Sequence, residues 1–236
     1  MAPHYITGEV FPPHDHNGGM TPPEHVTEKA RLRSVLRSNR AGLDPIERHE
    51  QSHAMAGMVA EYVSGLLGSS GGSATGHAVV TAYLGVDPEP DTAPLLARLH
   101  ALGVDVVLPV CEPQYRLSWT VWTPGVALQR SVRAPVDEPV GPRRTFEELS
   151  GVRLILVPAL GVDRSGQRIG QGGGYYDRFL ARHPRNRADA VPRIGMVYRS
   201  EVLPEGAIPA EPHDQPLDAV MTADGLIRLR TDDLPV

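Results

Sequence analysis

The chain has 236 residues, 41% of them hydrophobic, and its 23 Lys and Arg against 28 Asp and Glu give a formal net charge of −5. This length and composition favour one globular domain with one sizeable core, and the acidic balance argues against broad nucleic-acid binding, which needs a basic field. The longest apolar run, 154–162, is far shorter than the roughly 20 residues of a membrane span. Because no signal-peptide pattern is present either, we expect a soluble cytoplasmic protein with no membrane or nucleic-acid partner. We also expect a monomer. The single cysteine, Cys111, excludes an internal disulfide and fits a reducing compartment.

Residues 1–26 are rich in Pro, His and Gly and lack an apolar period. We therefore expect a disordered N-terminal extension, followed by one domain at 27–236. The extension contains groups that bind metals elsewhere, namely His4, His14, Asp15, His16 and His25. A flexible tail is the favoured interpretation, since nothing in the sequence holds these ligands in one geometry.

The first predicted helix runs from Thr27 to about Arg40, with Thr27 as its N-cap. Lys29, Arg33 and Arg37 recur at every fourth position and share one face of this helix. Such a face is either a solvated surface or a site for an anion, and the residues taken alone favour the solvated surface.

A second predicted helix begins at Asp44-Pro45, an N-cap followed by proline, and runs to a flexible Gly/Ser loop at 68–76. Beyond it, apolar runs predict strands at 78–84, 104–110, 116–122, 153–158, 193–198 and 219–222, with a helix at 93–102 and an irregular segment at 124–141. The alternation in 116–122 indicates a half-buried strand near an edge. The order strand, helix, strand implies parallel pairing. We predict a single-domain, three-layer α/β/α fold with a mostly parallel sheet, Rossmann-like and phosphosugar-isomerase-like.

A glycine-rich segment, 161–180, follows the strand at 153–158 and leads into a further predicted helix. Its glycines, Gly170, Gly172, Gly173 and Gly174, can adopt positive φ and bring backbone N–H groups close to a ligand. The segment is therefore either a phosphate-binding loop or only a tight turn. It is not a P-loop, because no Lys-Ser/Thr follows the glycines, and it lacks the dinucleotide-binding fingerprint.

Arg168 and Asp177 flank these glycines. An arginine here can bind phosphate oxygens, whereas a carboxylate beside phosphate needs a divalent cation between them. Asp177 therefore suits a magnesium ligand, although stabilisation of the helix N-terminus explains it without any ligand. Asp214, between the last two strands, is the second candidate and by itself is typical of a turn. Trp119 and Trp122 are either stacking residues or, more commonly, core residues.

The segment 168–177, RIGQGGGYYD, resembles the signature loop of the 5-formyltetrahydrofolate cyclo-ligase family, which reads Arg-apolar-Gly-x-Gly-x-Gly-Tyr-Tyr-Asp. Three further segments agree with the family in order: KARLR at 29–33, EPDT at 89–92, and His213-Asp214. The resemblance covers roughly 27–229. It implies an enzyme that uses ATP and Mg²⁺ to convert 5-formyltetrahydrofolate to 5,10-methenyltetrahydrofolate.

The resemblance also implies roles for individual residues. ATP contacts are implied for Lys29, Arg33, Arg168, Ile169, Gly170, Gln171, Gly172, Gly173, Gly174, Tyr175 and Tyr176. Substrate contacts are implied for Val86, Asp91 and Tyr175, catalytic roles for Arg168, Tyr175 and Tyr176, and magnesium binding for Asp177 and Asp214. Asp91 stands where the family commonly has Glu, and Gln171 stands where some members have Arg.

Two other functions remain open on the sequence. One is a phosphosugar isomerase on a similar fold, which would need no ATP, and the other is a non-catalytic folate- or nucleotide-binding protein. The Lys29/Arg33 pair and the two spaced carboxylates favour the ligase, because phosphoryl transfer needs positioning and charge neutralisation.

Overall fold

The computed structural model describes residues 24–69, 78–186 and 190–229. Four helices lie in these ranges: α1 Glu24–Ala41, α2 Pro45–Ser69, α3 Ala93–Ala101 and α4 Tyr175–Ala181. The predicted extension up to residue 23, with His4, His14, Asp15 and His16, lies outside the described residues, as does the Gly/Ser loop from 70 onward. No helix in the described ranges is long and apolar enough to cross a membrane.

The starts of the first two helices differ in how well the sequence predicts them. α1 begins at Glu24, so the prediction that Thr27 caps it is wrong, because Thr27 already lies inside the helix. α2 begins as predicted: the Asp44 carboxylate accepts a hydrogen bond from the Ile46 N–H at 2.7 Å, which satisfies a donor that the helix itself leaves unpaired. Lys29, Arg33 and Arg37 all lie within α1.

The described residues also form twelve strands: β1 Val79–Thr81, β2 Asp105–Glu112, β3 Arg116–Trp122, β4 Leu128–Arg130, β5 Asp137–Pro139, β6 Val152–Pro158, β7 Gly161–Asp163, β8 Arg168–Ile169, β9 Arg193–Met196, β10 Val202–Leu203, β11 Ala219–Thr222 and β12 Gly225–Arg228. Seven of them form the central sheet, in the order β12-β11-β9-β6-β1-β2-β3. The five inner strands run parallel to one another, whereas the edge strands β3 and β12 pair antiparallel with β2 and β11. The prediction of a mostly parallel α/β sheet with 116–122 at an edge is confirmed.

The core lies on both faces of this sheet because successive strand residues point to opposite sides. Val80, Leu154 and Met221 pack on one face against α2 and α3, through residues such as Met55 and Leu99. The other face packs against α4 and the segment at 146–149, with members Val79, Ile155, Val220, Phe146 and Phe179. Helices thus cover the sheet on both sides.

Two small sheets were not predicted. β4 and β5 form an antiparallel hairpin within 124–141, which we expected to be irregular. β10, β7 and β8 form a three-stranded sheet, so two short strands separate β6 from the glycine loop. The turn between β7 and β8 is held by Asp163, whose buried carboxylate accepts hydrogen bonds from the backbone of Ser165, Gln167 and Ile208. The small sheet fixes where the glycine loop starts.

Candidate functional site

An open cavity of about 1150 Å³ lies beyond the carboxyl ends of β1 and β6, where ligands bind in parallel α/β sheets. We call one side the charged wall: Lys29, Arg33, Arg37 and Arg40 of α1, Glu89, the loop 168–174, Asp177 and the segment 211–214. The other side is the aromatic wall: Cys111, Tyr115, Leu117, Tyr175 and the hairpin residues 130 and 133–137. Every site residue predicted from the sequence except Asp91 lines this cavity.

On the charged wall, the cations of α1 are bound to protein groups from distant parts of the chain. Lys29 is 5% exposed, and its Nζ lies 2.6 Å from a Glu211 carboxylate oxygen and 2.5 Å from an Asp214 carboxylate oxygen. Arg33 donates a hydrogen bond to the Gly170 carbonyl at 3.0 Å. The solvated-surface interpretation of this helix face is therefore wrong for Lys29 and Arg33.

Arg168 is the buried cation at the base of the glycine loop. Its NH2 lies 2.6 Å from an Asp177 carboxylate oxygen, while its Nε has no hydrogen-bond partner within the described residues. Gly172 and Gly174 adopt φ of +102° and +69°, values that favour glycine over residues with a Cβ. The loop thus combines one fixed guanidinium with backbone that can approach a ligand closely.

Of the two acidic residues Glu89 and Asp91, only Glu89 lines the cavity. The Asp91 carboxylate accepts a hydrogen bond from the Ala93 N–H at 2.9 Å, at the start of α3, and Asp91 does not line the cavity. Glu89, two residues earlier, does line it, and its carboxylate oxygens accept hydrogen bonds from the Gln171 side chain and the Val86 N–H. The structure thus places Glu89, and not Asp91, among the residues that line the cavity.

A fully buried ion pair lies behind Glu89. Arg40 donates from Nε and NH2 to the two carboxylate oxygens of Glu201, at 2.5 and 2.8 Å, and from NH2 to the Ala159 carbonyl at 2.8 Å. Burial favours a lower pKa for Arg40, but the Glu201 carboxylate outweighs burial and raises it. The remaining nitrogen, NH1, points toward Glu89 at 3.9 Å. No sequence signal links these residues, which are 161 positions apart.

On the aromatic wall, Tyr115 and Tyr175 meet edge to face, with ring centroids 5.5 Å apart. The Arg178 guanidinium lies over the Tyr115 ring, 4.5 Å from its centroid. Tyr115 and the preceding Gln114 both have positive φ, +57° and +61°, a conformation that is uncommon outside glycine and occurs at functional sites. Tyr115 was not among the predicted site residues, because no sequence pattern marks this strained turn.

Three residues that line the cavity, Cys111, Tyr175 and Tyr176, have raised pKa values. Burial, followed by the charge of Glu138, raises the pKa of Cys111 to about 12. Burial, followed by the Cys111 thiol, raises the pKa of Tyr175. Burial also raises the pKa of Tyr176, whose hydroxyl has no hydrogen-bond partner within the described residues. The Tyr176 phenol is therefore an unused donor at the cavity.

The carboxylates predicted to bind magnesium have different surroundings. Asp214 forms a cluster with Glu211 and His213 in which the possible ligand atoms all lie within 4.8 Å of one another. Asp177 is not a member of that cluster, and its carboxylate is bound by Arg168. The carboxylate oxygens of Glu211 and Asp214 suit Mg²⁺, which prefers oxygen ligands, and the Lys29 ammonium already occupies a cationic position between them.

The tryptophans have no place among the cavity residues. Trp119 is fully buried and packs against Phe146 and Phe179, which confirms the core interpretation. Trp122 is half-buried and meets His100 edge to face. The aromatic contacts at the cavity come from tyrosines instead.

The profile described as the 5-formyltetrahydrofolate cyclo-ligase family matches residues 25–223. A 5-formyltetrahydrofolate cyclo-ligase of Mycolicibacterium smegmatis is 36% identical over 210 residues, which cover 86% of this chain and 97% of that protein. The protein of the same name from Escherichia coli K12 is 28% identical over 190 residues, 80% and 96% of the two chains.

Solved structures agree in fold. The NMR structure of Aquifex aeolicus 5,10-methenyltetrahydrofolate synthetase has a TM-score of 0.62 and 25% identity, and the match covers 88% of this chain and 95% of that one. The 5,10-methenyltetrahydrofolate synthetase of Mycoplasma pneumoniae has a TM-score of 0.58 and 17% identity over 83% and 98% of the two chains. At that lower identity the second likeness concerns the fold alone.

Proposed function

The chain belongs to the 5-formyltetrahydrofolate cyclo-ligase family, and from this we propose that it closes 5-formyltetrahydrofolate to 5,10-methenyltetrahydrofolate with conversion of ATP to ADP and phosphate. The main structural support for the proposal is that buried Lys29 and Arg168, the glycine loop and Glu89 all line one cavity. Neither a phosphosugar isomerase nor a non-catalytic binder is favoured by the family membership.

The proposed reaction has two steps. The formyl oxygen attacks the γ-phosphorus of ATP, and ADP leaves. N10 of the folate then attacks the activated formyl carbon, the C–O bond breaks with release of phosphate, and N10 loses its proton. Phosphoryl transfer of this kind depends on positioning and charge neutralisation more than on a protein nucleophile. The charged wall supplies both.

We assign the nucleotide to the charged wall. Lys29, Arg33 and Arg168 would bind phosphate oxygens through charge-assisted hydrogen bonds. The rest of the proposed ATP site consists of residues of the glycine loop and the first two residues of α4: Ile169, Gly170, Gln171, Gly172, Gly173, Gly174, Tyr175 and Tyr176. Because Arg33 now binds the Gly170 carbonyl, phosphate would take over a donor that the loop holds in its absence. Arg168 is the proposed catalytic cation.

We assign the folate to the space between Glu89 and the aromatic wall. Val86 and Tyr175 remain proposed substrate contacts, Glu89 replaces Asp91, and Tyr115 is added as a flat surface for a ring of the substrate. Tyr176, with its protonated and unpaired hydroxyl, is proposed to donate a hydrogen bond at the reacting centre.

Magnesium remains a proposal for Asp177 and Asp214, to which the cluster adds Glu211. Mg²⁺ would neutralise charge on the phosphates of ATP. Asp177 would exchange its contact with Arg168 for the ion, which would free that arginine for phosphate. Titration of Mg²⁺ tests this: Asp214→Asn and Asp177→Asn should each raise the Mg²⁺ concentration that gives half-maximal turnover, and unchanged titrations would reject the assignment.

Three further proposals concern the domain, the oligomeric state and the topology of the chain. We propose one domain at 27–236, a monomeric state, and a Rossmann-like, phosphosugar-isomerase-like topology. The activity is tested by mixing the protein with ATP, Mg²⁺ and 5-formyltetrahydrofolate and following methenyltetrahydrofolate absorbance. Product that forms only with ATP supports the proposal, and its absence rejects it.

A further inference from the structure

The Gln171 side chain bridges two parts of the charged wall. Its Oε1 accepts a hydrogen bond from Arg37 Nε at 3.0 Å, and its Nε2 donates to Glu89 Oε1 at 2.8 Å. A carboxamide is suited to this position because it has an acceptor for the cation and a donor for the carboxylate. Gln171 therefore joins α1 to the segment that carries the proposed substrate-binding acid.

The Glu89 carboxylate has few other contacts that fix it. Its Oε2 accepts a longer hydrogen bond from the Val86 N–H at 3.3 Å. Its Oε1 faces Arg40 NH1 at 3.9 Å, beyond hydrogen-bonding distance, and that buried NH1 makes no hydrogen bond within the described ranges. Arg40 attracts the carboxylate, but Gln171 is the side chain that hydrogen-bonds it. The orientation of Glu89 thus depends on where Gln171 lies.

The position of Gln171 depends in turn on the arginines of α1. Arg37 NH2 donates to the Gln171 carbonyl at 3.0 Å, and Arg33 donates to the neighbouring Gly170 carbonyl. Gly172, with φ of +102°, follows directly and lets the loop change conformation at low cost. A phosphate group that binds these arginines changes what holds the loop, and so changes what holds Gln171.

We infer that Gln171 is a positioning residue that couples the nucleotide half of the site to the folate half through Glu89. This rests on the proposed function, in which the arginines of α1 face ATP and Glu89 faces the folate. Both ligands order the same loop, so each ligand lowers the ordering cost for the other. The coupling is reciprocal: ATP tightens folate binding by the factor by which folate tightens ATP binding.

Calorimetric titration tests this without turnover. 5-Formyltetrahydrofolate is titrated into the protein with and without a non-hydrolysable ATP analogue and Mg²⁺. In the wild type the analogue should tighten folate binding about fivefold or more, and in Gln171→Ala by less than about twofold. Gln215→Ala is the matched control, since it removes an amide side chain from another segment of the same cavity, and it should keep the wild-type coupling.

A second arm separates positioning from a general effect on the loop. In a Glu89→Ala background, Gln171→Ala should change the coupling no further, because the acceptor of the Gln171 hydrogen bond is already absent. Since Gln171 is exposed, its variant should melt at the wild-type temperature.

Equal coupling in the wild type and Gln171→Ala, or no coupling in the wild type, would overturn the inference. A wild type that turns over ATP and folate, with coupling retained in Gln171→Ala, would reject the role of Gln171 alone. A wild type without turnover would reject the proposed function itself.

Discussion

The two walls of the cavity are stabilised in different ways. On the charged wall, Lys29, Arg33 and Arg168 are each bound to a carboxylate or carbonyl of the protein. On the aromatic wall, Tyr115 and Tyr175 are placed by ring contacts and a strained turn. A substitution on the charged wall therefore removes a cation and also leaves its partner unpaired, whereas one on the aromatic wall removes mainly contact area.

Arg168→Ala should have the largest effect. It removes the buried cation beside the glycine loop and leaves Asp177 without its ion pair, so kcat should fall about 100-fold to 1,000-fold, as when a stabilising donor is removed from other active sites. Steady-state kinetics measures it. Arg164→Ala, an exposed arginine in the adjacent turn, is the control and should turn over normally; a similar loss in both variants would argue against a specific role for Arg168.

A comparison of variants at Glu89 and Asp91, which lie in the same loop, tests the assignment of Glu89. Glu89→Gln should lower kcat/KM about 10-fold to 100-fold, because a hydrogen-bonded charge facing the substrate is lost, with little effect on melting. Asp91→Ala should do the reverse: it loses the contact with the Ala93 N–H and about 1 kcal/mol of stability, while kcat/KM is retained. Kinetics and thermal melting on both variants decide between them, and the opposite pattern would restore Asp91 as the substrate contact.

The aromatic wall should respond more weakly. Tyr115→Ala should raise the KM for folate about 2-fold to 10-fold and leave kcat at saturation nearly unchanged, since it removes an aromatic contact and no charge. Tyr115→Phe keeps the ring and should behave as the wild type. A larger loss of kcat than that caused by Arg168→Ala would remove the distinction between the walls.

Cys111 should give the smallest effect, visible in thiol reactivity. Its raised pKa of about 12 means that the folded protein keeps the thiol protonated well above the ordinary pKa of 9.0. The rate of reaction with a thiol reagent should therefore be low near neutral pH and should still be rising above pH 9. Glu138→Gln removes the nearest charge that opposes the thiolate, so it should shift this profile to lower pH. A wild-type profile that levels off below pH 9 would contradict the burial of Cys111.

The sheet was largely predictable because its strands are apolar runs bounded by breakers. The strands at 116–122 and 219–222 were predicted with their observed bounds. β4 was missed because its residues are exposed and show no apolar period, and β8 is only two residues long.

The site was predictable where a local motif carried it. The glycine loop and Lys29 were identified from such motifs, but the binding of Lys29 to Glu211 had no local signal. Glu89 and Asp91 differ only in which carboxylate the following helix uses, and that depends on backbone geometry that sequence does not show.

The ion-pair partners of α1 lie far away along the chain, so these contacts can form only late in synthesis. Lys29 binds Asp214, 185 positions later, and Arg40 binds Glu201. At a synthesis rate of about 5–20 residues per second, roughly ten to forty seconds pass between the synthesis of Lys29 and that of Asp214. During that time the cations of α1 lack these carboxylates, so α1 cannot make these contacts until the chain has been synthesised through Asp214. The charged wall is complete only when nearly the whole domain has been synthesised.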